Sequence, residues 1–218
     1  MRVGRIYFFL FVTLIALILA SPAYAKSVKM TYEGHQGAVA QDGSPLIGYP
    51  YYFSINGSMT YTPLICDSYD NNVYLGESWT ATALPLLQGI STSMFGPSMA
   101  LDYKAAGLIF KAMLAGNLTS TQAQWAIWGL FSTNAQNNPY FSTINGASID
   151  QTYLNLASTA PNSSYNGLVL YTPVGAKPGS GPQEYIGYSA VPEPGTLTLI
   201  GTGLLALAGA VRRKWANS

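Results

Sequence analysis

Few residues in this chain could do covalent or acid–base chemistry, and their types narrow the choices at once. Cys66 is the single cysteine and His35 the single histidine. A Ser-His-Asp triad would have to use His35, and no G-x-S-x-G elbow accompanies it. There is no H-E-x-x-H, no C-x-x-C and no P-loop, so zinc hydrolysis, dithiol redox and phosphate cradling lack their residues. A lone histidine near the start of a domain reads as an ordinary surface or turn residue. Cys66 has no partner for an internal disulfide, so in an oxidising compartment it must be either deeply buried or chemically used. The segment 67–72 that follows it is rich in hard oxygen ligands but lacks the order of an EF-hand loop, which favours a polar turn over a Ca²⁺ site. Asp42, Asp67, Asp70, Glu77, Asp102 and Asp150 are expected at the surface, and their spacing identifies no glycosidase pair. Accordingly the sequence predicts no catalytic set, no metal site and no cofactor, and a protein that is not an enzyme.

The elements that must position Cys66 come in three blocks. Residues 28–32 alternate like a half-buried strand, and 51–55 are strand-prone before Asn56-Gly57, a strong hairpin turn. Residues 58–61 are expected to return as a strand, and Leu64-Ile65-Cys66 forms a further short apolar run. A helical block follows. Leu101, Ala105, Leu108, Ile109, Ala112 and Met113 make a stripe of helical period that ends at Gly116. Thr119 or Ser120 can cap a second helix carrying Gln124, Trp125, Ile127, Trp128 and Phe131, with Gln124, Ile127, Trp128 and Phe131 sharing one face. Ser148-x-x-Gln151 reads as a capping box opening a third helix that stops before Pro161. Strand character returns at 168–171 and 184–188, on either side of an exposed Gly/Pro loop at 178–182. The order β, α, β predicts an α+β fold, a β-sandwich-like sheet assembly with an inserted helical block.

The two ends differ from the body. Arg2 and Arg5 precede an uncharged apolar run at 6–19, and Ala23 and Ala25 place small residues where signal peptidase cuts. Residues 1–25 therefore read as a signal peptide and 26–190 as one exported globular domain. Only 9% of the chain is charged, against about 25% in typical soluble domains. Five lysines face eight acids in residues 26–190, so nucleic acid is excluded as a partner. At the other end Pro192, Glu193 and Pro194 lead into an apolar run at 195–211, close to the lower limit for a transmembrane helix. Arg212, Arg213 and Lys214 follow it and should stay cytoplasmic under the positive-inside rule.

The tail, 191–218, resembles the PEP-CTERM sorting signal, with Pro192-Glu193-Pro194, a span and a basic cluster in the family's order. The resemblance implies export in a Gram-negative bacterium and processing by a membrane-embedded exosortase. The precursor would be held in the inner membrane by its C-terminal helix, then delivered to the cell surface or the exopolysaccharide matrix. The body resembles the thioester domains of Gram-positive surface adhesins. Ile65-Cys66 is similar to their cysteine segment, and Gln124-Trp125-Ala126-Ile127-Trp128 to their T-Q-x-A-Φ-W motif. Ala123 replaces the threonine, and Asp67 stands where an apolar residue is usual. Carried over, the resemblance implies that Cys66 supplies the sulfur and Gln124 the acyl carbon of an internal thioester. Trp125, Trp128, Trp79 and Tyr69 would keep water out until a target amine arrives.

Three readings stay open on sequence alone. One is a non-enzymatic surface or matrix protein, with a thioester as its adhesive device. The second is a carbohydrate-binding β-sandwich whose Tyr and Trp stack on sugars of the exopolysaccharide. The third is an exported hydrolase. Cys66 as a small buried hydrophobe with a core Trp pair competes directly with the thioester.

Overall fold

In the first strand alternate side chains turn inward, and this sets the architecture. Along β1 (Lys26–Val39) Val28, Met30 and Tyr32 are buried, while Lys29 and Glu33 are exposed. The structure, a computed structural model, describes residues 26–39 and 46–189. β1 pairs antiparallel with β2 (Leu46–Ile55) through Met30↔Ile55 and Tyr32↔Phe53, and with β4 (Ser78–Pro85) through Met30↔Trp79. β3 (Thr62–Cys66), β5 (Leu168–Pro173) and β6 (Tyr185–Tyr188) complete a closed barrel in the order β1-β2-β3-β6-β5-β4. This corrects the expected sandwich. The register of β1 shifts between Tyr32 and Gly34 and again between His35 and Gly37. Such irregularities bend a strand, and one bent strand that bonds to both neighbours closes the sheet and removes its edges.

The turn at Asn56 and Gly57 forms as expected, with φ of 54° and 75°. The return strand, however, starts at Thr62 rather than at Ser58. Asn56 is held by Lys29, through Asn56 N–H to Lys29 O at 2.8 Å and Lys29 N–H to Asn56 Oδ1 at 2.9 Å. Ser58 Oγ then bonds Thr60, and Ser58 touches β2 only through the turn, by its N–H to Ile55 O at 3.1 Å and its carbonyl from Ser54 Oγ at 2.9 Å, so the ladder resumes only at Thr62. Strand β4 was not anticipated, because its small residues (TATA) give little hydrophobic alternation.

Among the described residues the α-helices lie between β4 and β5: α1 (Leu86–Gly89), α2 (Ala100–Leu114), α3 (Ser120–Phe131), α4 (Thr133–Asn137), α5 (Pro139–Thr143) and α6 (Gly146–Thr159). Gly116 (φ 78°) ends α2, with Asn117 N–H reaching back to Ala112 O at 2.9 Å. Thr119 caps α3 through a reciprocal bond pair with Gln122. The capping box expected at Ser148 and Gln151 does not form. Asn145, at φ 56°, turns the chain so that α6 begins at Gly146, and Gln151 bonds Asn155 instead. Gly129 in α3 has a packing reason. A Cβ there would lie 2.3 Å from Phe141 Cε2 and 2.8 Å from Asp150 Oδ2.

Two apolar clusters result, and β3 feeds both by alternation. Ile65 packs with Tyr103, Ile109, Ile127 and Ile186 in the cluster dominated by the helices. Leu64 and Cys66 join Phe53, Tyr51, Tyr185, Trp125 and Trp128 in the other. Among the described residues no helix is long and apolar enough to cross a membrane. Asp42, Ala23 and Ala25, the 195–211 segment, and the residues Pro192, Glu193, Pro194, Arg212, Arg213 and Lys214 lie outside the described residues.

Candidate functional site

Helix α3 packs on β2 and β3 and so brings a glutamine to the single cysteine. Cys66 ends β3 and Gln124 sits in the second turn of α3, and both are fully buried. Gln124 Nε2 donates to the backbone carbonyl of Cys66 at 2.6 Å, while its Oε1 has no hydrogen-bond partner. Cys66 Sγ lies 3.7 Å from Ser68 O and 3.9 Å from Ser68 Oγ. A T-shaped Trp125–Trp128 pair, with centroids 5.3 Å apart, packs beside them, and Tyr69 lies 5.2 Å from Trp128. Tyr140 stacks on Trp125 at 5.8 Å. Trp79 takes no part in this cage. It packs on Phe53 at 5.6 Å and on Tyr185 at 6.4 Å. The shared face expected for Gln124, Ile127, Trp128 and Phe131 is also split, because Ile127 and Phe131 pack into the helical cluster and Trp128 into the other.

Burial, reinforced by the nearby Asp67 carboxyl, pushes the Cys66 thiol up to about 12. The Trp128 indole and Ser68 oppose that shift but do not cancel it; the indole N–H makes no regular hydrogen bond. Such a thiol is protonated near neutral pH and shielded from reagents in solvent. Its chemistry is therefore limited to groups delivered inside the fold, and α3 delivers a carboxamide.

Sequence reasoning placed Asp67 on the surface and did not single out Glu184. Both are fully buried, next to the cysteine. Glu184 accepts hydrogen bonds from Tyr103 OH, Thr172 Oγ1 and the Met94 N–H, the last at 2.9 Å. Asp67 faces Glu184, yet neither of its oxygens makes a regular hydrogen bond. Burial, then the Glu184 charge, holds the Asp67 carboxyl well above the usual range; burial also raises Glu184, opposed by the hydrogen bonds it accepts. Asp150 corrects the surface expectation too, being buried with its Oδ1 unpartnered. The only sequence signal for the pair was Asp67 itself, an acid in a cysteine segment that is otherwise apolar.

The remaining candidates are spent on structure or face solvent. Asn71 Nδ2 donates to the carbonyls of Lys177 and Gly181, both at 3.0 Å, and Asn71 Oδ1 accepts from Gly179 N–H at 2.9 Å. Asp70 accepts from Asn134 at 2.8 Å. No group of three metal-ligating side chains occurs among the described residues. His35 is exposed on β1. Trp125 and Trp128 face inward, which leaves Tyr61, Tyr74 and Tyr188 as the large exposed aromatics among the described residues.

Beyond this body, the order of Pro192-Glu193-Pro194, apolar run and basic cluster is decisive for the tail. Residues 190–214 match the PEP-CTERM protein-sorting motif. A PEP-CTERM tail implies an exported, membrane-sorted protein of a Gram-negative bacterium that is recognised by an exosortase. No curated protein matches the chain. Among solved structures it is similar to the N-terminal thioester domain of a surface protein from Clostridium perfringens. The TM-score is 0.39 and the identity 14%, over 74% of this chain and 98% of that one.

Proposed function

We propose that this PEP-CTERM protein is a surface or matrix adhesin whose Cys66 and Gln124 join in an internal thioester that captures an amine on its target. The observation that carries the reading is the buried Gln124 carboxamide, held 2.6 Å from the Cys66 carbonyl with its acyl oxygen unpartnered. An unpaired buried amide oxygen costs about 1–3 kcal/mol, which a purely structural glutamine would have no reason to bear. Attack of the Cys66 sulfur on the Gln124 acyl carbon forms the S–C bond and releases ammonia. The Trp125, Trp128 and Tyr69 cage keeps water from the product. A primary amine of the target then forms an amide with Gln124 and returns the thiol to Cys66. The exposed partner would be a protein or a matrix polymer bearing amines, and the role at the surface is binding rather than turnover.

The test is the mass of the exported chain. It should be one ammonia lighter than that of a Cys66→Ala or Gln124→Ala control, after correction for the substitution. Cys66 should resist alkylation after denaturation, and methylamine should add to Gln124 and free the thiol together. A readily alkylated Cys66 in the untreated chain overturns the reading.

A further inference from the structure

We propose that the Asp67 carboxyl, with Glu184 behind it, is the acid that sends the Gln124 nitrogen away as ammonia when the thioester closes; this rests on the thioester reading above. The argument begins with a division of labour between two buried acids. Three donors surround Glu184, from Tyr103, Thr172 and the Met94 backbone, and they suit a carboxylate. Asp67 has no such donors and leaves both oxygens without a regular bond. A carboxyl with that environment is stable only as the neutral acid, and a neutral acid is a proton donor.

Position makes this proton relevant. Gln124 Nε2 bonds the carbonyl of the peptide that joins Cys66 to Asp67, so the leaving nitrogen sits on the peptide that carries both the thiol and the acid. The Asp67 N–H bonds Glu184 O at 3.2 Å, and the Glu184 N–H bonds Ser68 Oγ at 2.8 Å. These two bonds fix the acid pair to the same turn that carries the thiol. A structural role alone would be served by an amide or an apolar residue without the cost of burying a carboxyl.

An amide nitrogen is a poor leaving group until it is protonated, and no histidine or lysine is buried among the described residues. In the proposed step the sulfur adds to the Gln124 acyl carbon and the Asp67 proton passes to Nε2. The C–N bond breaks, and ammonia leaves. The thiol proton passes to the Asp67–Glu184 pair and restores it, so the net change is S–C formed, C–N broken and one ammonia released. On aminolysis the pair returns the proton of the incoming amine to the Cys66 sulfur.

The experiment follows bond formation in the full exported chain by pulse-chase. Its readout is the fraction of chains whose Cys66 escapes alkylation after denaturation. Asp67→Asn keeps size and burial but removes the acidic proton. It should slow closure at least tenfold while thermal melting stays equal to or above that of the parent. Asp67→Glu should recover part of the rate, and in the parent the closure rate should fall as pH rises, a dependence that Asp67→Asn flattens. Closure of Asp67→Asn at the parental rate overturns the proposal and leaves the thioester standing. An alkylatable Cys66 in the parent overturns both. Should Asp67→Asn fail to fold, Glu184→Gln takes its place, and an unchanged closure rate in that variant overturns the proposal equally.

Discussion

Within the turn that follows β3, two polar residues meet opposite fates. Asn71 uses both ends of its amide, tying 177–181 to the barrel with three bonds of 2.9–3.0 Å. Asp67 is buried more completely and makes no regular side-chain bond, and across from it Gln124 leaves its carbonyl oxygen unpaired. On the proposed reading, the difference separates structure from chemistry. A satisfied buried amide holds a loop in place, whereas orphaned polar atoms clustered around one thiol are a cost that stability alone does not explain.

The comparison can be broken most forcefully at the cage. Trp125→Ala should cost about 3–5 kcal/mol, measured by denaturant unfolding. It should also shorten the lifetime of the blocked Cys66 by admitting water. A stable variant with undiminished blockage would show that the aromatic wall does not protect the site. Asn71→Ala should cost about 1–3 kcal/mol in the same assay, because it strands the carbonyls that the side chain satisfied. Amine capture at Gln124 should keep its rate in that variant. A loss of capture would mean that the clasp and the site are not separate.

A graded effect should appear with pH. Burial, then the charge of Asp102, raises Asp150 from the usual 3.8 to about 8, so the folded chain keeps a proton that the unfolded chain releases between those values. The folded state binds more protons in that window, and stability should fall as pH rises from about 4 to about 8. Asp67 and Glu184, also raised, add to the same trend. Thermal melts across this range should show the decline, and Asp150→Asn should flatten part of it. The smallest effect belongs to a site remote from the cysteine. Thr119→Ala removes the α3 cap at a cost of about 1 kcal/mol, read by the same melts, and should leave capture unchanged.

Local signals were legible where one residue settles the geometry. Gly116 ended α2, Thr119 opened α3, and Asn56-Gly57 made the turn, because each depends on the chain's nearest neighbours. Ser148 misled for a complementary reason. Its capping pattern was sound, but Asn145 nucleated the helix one turn earlier. Strand β4 escaped notice because alanine and threonine alternate weakly, and its membership of the sheet is conferred by β1 on one side and β5 on the other.

The sequence by itself determined the C-terminal sorting signature and the β-α-β order, and it singled out Cys66 and Gln124, since each signal lies in a short run of neighbouring residues. Tertiary structure alone decided that the sheet closes into a barrel, which takes the pairing of β1 with both neighbours. It alone brought Gln124 onto the Cys66 carbonyl across 58 positions of chain. And it alone buried Asp67 against Glu184, because whether a carboxyl is solvated depends on what folds over it, which no spacing in the sequence records.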